Sequence, residues 1–267
     1  MNVTLTFHGA AGCVTGSCAR LAIEKGPTLL VDCGLFQGPK TLKALNYDAF
    51  PFDVADVDAV LLTHAHVDHS GLLPKLLLAG YKGPIFATAG TRALCAVMLP
   101  DAGAIQEMEV EQLNRRNQRR GREQLTPIYT AADAVASLER FRPVDYGAWI
   151  EPAPGIRARY WNAGHLLGSA SIEVEASAEG RTVRILFSGD IGPDSRLLHP
   201  DPDAPRGFDY VLCESTYGDR DRIETTIAHR REALLAELRD ARKQGGALLI
   251  PSFAVERTQE LLVDLVG

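Results

Sequence analysis

The 267-residue sequence contains no window approaching 18 uninterrupted apolar residues, and its start, MNVTLTFHGA, lacks the basic opening and apolar stretch of a secretion signal. A membrane partner is therefore not expected, and a cytoplasmic location is. Cysteine is scarce and unpatterned: Cys13, Cys18, Cys33, Cys95 and Cys213 are odd in number and include no CxxC pair. They read as reduced, mostly buried thiols, not as a disulfide frame or a zinc ribbon. Aromatic residues make up 7% of the chain, too few to display a base-stacking surface. A basic excess is also missing, because the formal net charge is −6. Any polyanionic ligand must then be held by local chemistry. One local source, NRRNQRRGR at 114–122, concentrates Arg115, Arg116, Arg119, Arg120 and Arg122. It is read before all else as the solvated end of a helix, with phosphate contact as the alternative. GAAGCVTGS has neither G-x-G-x-x-G nor a terminal Gly-Lys-Ser/Thr, which argues against a nucleotide loop.

What is present is an ordinary globular composition, 46% hydrophobic and 23% charged, long enough for one large domain or one and a half. Runs rich in Val, Ile and Leu stop abruptly at polar residues, as buried strands do. TLLVD closes on Asp32, AVLLT runs into His64, VRILFSGD closes on Asp190 and YVLCE closes on Glu214. Groups just past strand ends are aimed by a rigid sheet, so these four can share one rim. Helical patterns alternate with the strands. HSGLLPKLLLAG predicts a helix starting at the histidines and stopped by Gly80, and further helices are expected over about 89–120, 131–140, TTIAHRREALLAELRDARKQGG and VERTQELLVDLVG. Strands are expected at IRARYW, SIEVEA, TVRILF and GALLIPSF, with SAEG as a hairpin connection. The proline-rich stretch LLHPDPDAPRGFDY at 197–210 reads as a linker with a boundary near 205. The fold class is mixed α/β without internal repeats.

LLTHAHVDHSGLL at 61–73 packs three histidines and an aspartate into six positions after an apolar run. A tight strand-to-helix turn there can aim two imidazoles at one point and a carboxylate plus an imidazole at another. Nitrogen and oxygen donors without thiolate suit a catalytic zinc site better than a structural one. Two ions need about six to eight ligands, so His64, His66, Asp68 and His69 must recruit from farther along the chain. His165 in NAGHLLGSA and Asp190 in FSGDIG are the candidates, Asp190 as a bridge with one oxygen per ion. Asp32 fits better as an acceptor fixing the ring of a ligand histidine than as a ligand. His8, His199 and His229 lack such company and read as hydrogen-bonded or exposed histidines.

The order LLVD, THAHVDHSG, AGHLLGS, FSGDIG resembles the metallo-β-lactamase superfamily, and CESTYGDR with PSFAVERTQELL resembles its β-CASP branch of nucleases. The opening FHGAAGCVTGSC is similar to prokaryotic homologues of the cleavage and polyadenylation endonuclease. The resemblance implies an αββα sandwich over residues 1–205 followed by the start of a β-CASP cap domain over 206–267. It implies two zinc ions, one held by His64, His66 and His165, the other by Asp68 and His69, with Asp190 between them. Asp68, Asp32 and Glu214 join the catalytic machinery, Glu214 beside a histidine expected downstream. That histidine, and another completing the second metal, have no counterpart in these residues, so the sequence is expected to stop within the β-CASP domain. The implied reaction is metal-assisted hydrolysis of RNA, as an endonuclease or exonuclease; a homodimer is compatible with the family. Ser252 and Thr258 bracket the last helix start and offer a phosphate seat, Ser252 equally a helix cap. Two rival functions stand beside this one: hydrolysis of a small ester or thioester at the same metals, and a catalytically silent fragment or RNA-binding paralogue.

Overall fold

The computed structural model describes residues 2–178, 180–193, 197–221 and 226–266. Strands β1 (Val3–Gly9), β2 (Cys18–Ile23), β3 (Thr28–Val31), β4 (Ala59–Leu61), β5 (Ile85–Thr88) and β6 (Phe141–Val144) lie side by side in chain order as a six-stranded sheet. The first three pair antiparallel, and β3 to β6 are parallel. A second, five-stranded sheet contains β7 (Trp149–Ala153), β8 (Ile156–Asn162), β9 (Ala170–Ala178), β10 (Arg181–Phe187) and β11 (Tyr210–Leu212), again in sequential spatial order. Here every pairing is antiparallel except β10 with β11. The helices are α1 (Lys40–Ala44), α2 (Val67–Ser70), α3 (Leu73–Leu78), α4 (Ala89–Arg119), α5 (Ala131–Ser137), α6 (Ile227–Gln244) and α7 (Arg257–Val266).

The strand period of two decides the layers. On β3 and β4, Leu29, Val31 and Leu61 point to the second sheet and meet Ile156, Tyr160, Ile172, Val174 and Ile185. Their neighbours Leu30, Val60 and Leu62 point the other way, onto Leu73, Leu76, Cys95, Leu99 and Ala134 of α3, α4 and α5. Both faces of these central strands are thus buried, which is why TLLV and AVLL read as unbroken apolar runs.

Several expectations change in detail. The helix predicted from the histidine turn is two short ones, α2 and α3, because Pro74 has no N–H to continue α2 and its ring would clash with the carbonyl one turn back. Gly80 ends α3 at φ +105°. The SAEG connection is tighter than expected: β9 and β10 pair up to Ala178 and Arg181, with Glu179 outside the described residues. The strand expected at GALLIPSF does not form. Leu249 there is 87% exposed, and an apolar run without neighbouring strands cannot hold a ladder. The proline-rich stretch is irregular, yet β11, beyond residue 205, hydrogen-bonds to β10 and extends the second sheet to Leu212. All five cysteines are free thiols, with Cys18, Cys33 and Cys95 buried. Among the described residues no helix is long and apolar enough to cross a membrane.

Candidate metal centre

The histidine turn is clamped by main chain. Residues 32–35, leaving β3, run against it: Cys33 N–H donates to His69 O, Leu35 N–H to Val67 O and Leu72 N–H to Cys33 O, all at 2.8–2.9 Å. Ser17 N–H donates to Asp68 O at 2.8 Å, and a Cβ on Gly34 would stand 1.6 Å from that same oxygen. Only glycine permits this approach. The His165 loop is tied separately. Thr88 and Thr91, at the start of α4, both donate from Oγ1 to Gly168 O (2.6 and 2.8 Å), and the Ser169 hydroxyl accepts from His165 N–H at 3.0 Å.

These restraints bring distant side chains together. His66 Nδ1 lies 3.1 Å from His64 Nε2 and 3.2 Å from His165 Nε2. Asp190 Oδ2 stands 3.7 Å from His64 Nε2 and 3.5 Å from His165 Nε2, while its Oδ1 is 3.2 Å from His69 Nε2. The four donor atoms of His64, His66, His165 and Asp190 all lie within 4.8 Å of one another. Asp190 therefore faces a three-imidazole set with one oxygen and His69 with the other. Asp68 is half-buried on the same side, close enough for its charge to be felt by Asp190 and His69.

Asp32, buried and held at φ +62°, accepts from His69 Nδ1 at 2.7 Å. It also accepts from Thr63 N–H (2.8 Å), Thr63 Oγ1 (2.9 Å) and Ser17 Oγ (3.1 Å). Protonation follows from these placements. Burial, then the surrounding imidazoles, push the His64 pKa well below the ordinary value, so its ring is neutral. Burial opposes charge on His69 as well, but Asp32 and Asp190 overcome it and hold the pKa well above the ordinary value. Burial raises the Asp68 carboxyl. For Asp190 burial also works upward, yet His69 hydrogen bonding and charge bring the net shift down.

Beside His69 opens a cavity of about 510 Å³, with Asp32, Asp190 and Glu214 at its polar side and Phe7, Val31 and Phe187 at its apolar side. The Glu214 carboxylate accepts from Ile191 N–H (3.1 Å) and Thr216 N–H (3.2 Å), which fixes it against the Asp190 loop. Ser252 stands apart. It lines a different groove between α6 and α7, with Arg230, Arg257 and Asp264, and its hydroxyl points to Phe253 O at 3.4 Å. Because α7 begins at Arg257, Ser252 is too far upstream to cap it. The arginines at 115–122 are exposed, Arg115 pairing with Glu111. His199 pairs with Glu256 at 2.8 Å, and His8 packs on Phe52. Sequence reasoning missed Thr63, Ser17, Thr88, Thr91 and Ser169. Of these only Thr63, directly before the first histidine, carried a signal, being a hydroxyl at a buried strand end.

Imidazole and carboxylate donors gathered at the edge of two facing sheets make a candidate metal site on an α/β fold. Comparison with known proteins narrows the class. The family model described as the metallo-beta-lactamase superfamily matches residues 11–252. Ribonuclease TTHA0252 of Thermus thermophilus is 42% identical over 259 residues, covering 96% of this chain and 53% of that protein. The transcription termination factor FttA of Methanocaldococcus jannaschii is 32% identical over 265 residues, 98% of this chain and 39% of that protein. The cleavage and polyadenylation specificity factor 73 of Drosophila melanogaster is 32% identical over 260 residues, covering 96% and 34% respectively. The chain thus spans about half the length of these relatives or less. It belongs to the metallo-β-lactamase superfamily.

Proposed function

We propose that the chain carries the metal centre of a zinc-dependent phosphodiesterase that hydrolyses RNA, with two ions in adjoining half-sites. The observation that carries this reading is the convergence of His64 Nε2, His66 Nδ1, His165 Nε2 and Asp190 Oδ2. Donors bound to zinc at about 2.0–2.1 Å in tetrahedral geometry lie roughly 3.3 Å apart. The separations of 3.1, 3.2 and 3.5 Å lie close to that value, and the 3.7 Å between His64 and Asp190 is somewhat longer. His69 and Asp68 would serve the second half-site, with Asp190 shared. When bound, the two ions supply Lewis acidity at phosphorus and water deprotonated near neutral pH.

The chain's own residues do the rest. Asp32 holds the His69 ring so that Nε2 faces Asp190. Glu214, anchored by two amides at the cavity, is placed to orient a proton donor for the leaving oxygen. The cavity, about 510 Å³, is of the size that encloses a small-molecule group. The names of the relatives support RNA as the substrate class. Ser252 would contact phosphate only at a distance from the metals, on its own groove.

The test is elemental analysis joined to turnover. The zinc-loaded chain is expected to hold at least one ion, at the three-imidazole half-site, and a second where Asp68, His69 and Asp190 suffice for it; cleavage of labelled RNA and bis-p-nitrophenyl phosphate is expected to be chelator-sensitive. His66→Ala and Asp190→Ala should lose both properties while the circular dichroism spectrum stays native. Turnover of a thioester without phosphodiester cleavage, or unchanged zinc content in both variants, would overturn the reading.

A further inference from the structure

Thr63 sits between the two halves of the centre, and its hydroxyl is in contact with both. Its Oγ1 lies 2.9 Å from Asp32 Oδ1, 3.0 Å from Asp32 Oδ2 and 3.0 Å from His64 Nδ1. A hydroxyl has one proton to give and lone pairs to receive with. Asp32 acts as an acceptor toward every other neighbour named for it, Ser17 Oγ, Thr63 N–H and His69 Nδ1. If Thr63 gave its proton to His64, its oxygen would face the carboxylate oxygens at 2.9–3.0 Å with no hydrogen between them. The hydroxyl proton therefore goes to Asp32, and His64 Nδ1 must bring its own proton to Thr63. That leaves the lone pair of His64 on Nε2, the atom that faces His66 and Asp190.

We infer that Thr63 is a positioning residue: it fixes the tautomer and ring angle of His64 and joins the three-imidazole half-site to the same Asp32 carboxylate that holds His69. One buried acid thereby orients a ligand in each half, His69 directly and His64 through Thr63. The inference rests on the metal-binding part of the proposed function and not on the identity of the substrate. Packing and hydrogen bonding at Thr63 are separable. Its main chain is held independently, N–H on Asp32 and C=O accepting from Ala170 N–H at 2.9 Å. Its Cβ stands 2.9 Å from where a Cβ on Gly189 would be, so the side chain also backs the residue before Asp190. Valine keeps that bulk without the hydroxyl, and serine keeps the hydroxyl with less bulk.

Two measurements decide it. In the zinc-free wild-type chain, long-range proton–nitrogen correlation of nitrogen-15 histidine should show His64 protonated at Nδ1 and bare at Nε2. The opposite tautomer would overturn the inference whether or not zinc binds. In competition against a chromophoric chelator, Thr63→Val should weaken zinc binding about 10–100-fold while Thr63→Ser stays near the parent value, in line with losses seen when partners of ligand histidines are removed. Equal zinc affinity of Thr63→Val and wild type would also overturn it, as would a Thr63→Ser variant as weak as Thr63→Val. Should Thr63→Val not fold, the Thr63→Ser affinity and the wild-type tautomer still settle the matter. If wild type itself takes up no zinc, the proposed function fails, and the tautomer alone decides the role of Thr63.

Discussion

Two stretches of this chain look alike as strings, VLLTH at 60–64 and LLIPS at 248–252, each an apolar run breaking into polar residues. They fare oppositely. The first is a buried strand between parallel neighbours, and it delivers His64 to the metal centre with no exposed surface. The second is irregular, with Leu249 open to solvent and Ser252 on a separate groove. An apolar run aims a functional side chain only when strands on both sides fix its register. Composition alone does not say which of the two it will be.

That contrast can be broken most forcefully at Leu61. Replacing it by Ala should cost about 2–5 kcal/mol in urea denaturation, because the space between the two sheets cannot close around the missing atoms. A change under about 0.5 kcal/mol would mean that β4 is not the anchor described.

A smaller effect is expected from pH. His69 is held protonated between Asp32 and Asp190, so in the zinc-free chain its pairing stabilises fully below the ordinary value of 6.5 and fades as pH rises through the raised pKa. Asp190, shifted down, bounds the window from below: its contribution fades as pH falls through its own lowered pKa. His69→Gln should flatten the alkaline side of the stability profile, and a profile identical to wild type would contradict the pairing. If zinc takes His69 Nε2 in the proposed second half-site, it displaces that proton, so binding to wild type should release more protons than binding to His69→Gln, readable by titration calorimetry in buffers of different ionisation enthalpy. The smallest effect belongs to the other stretch. Leu249→Ala should shift stability by no more than about 0.5 kcal/mol, since the side chain is already in water.

The sequence made the ligands legible because each follows a strand end or sits in a compact turn, where spacing and geometry coincide. His64 and Asp190 are of this kind, as is Asp32, the acceptor behind His69, and the structure places the three together. The hydroxyl network was not legible. Ser17 and Thr63 act on Asp32 across separations of 15 and 31 residues; Thr63 at least ends a buried strand, whereas nothing local distinguishes Ser17 from a surface hydroxyl. The fold class was readable from alternating strands and helices. The strand expected at GALLIPSF was overread, because pairing is a property of neighbours and not of the run itself. The proline-rich stretch was read as a linker, and it is irregular, but the sheet resumes after it because β11 finds an open edge on β10.

The central claim is that four side chains from three separate stretches grip one ion. A zinc-soaked crystal, measured on both sides of the zinc absorption edge, tests it most directly. An anomalous peak about 2.0–2.1 Å from His64 Nε2, His66 Nδ1 and His165 Nε2, with Asp190 completing the set, is the expected result. Zinc bound elsewhere on the chain, with these three nitrogens bare, would contradict it.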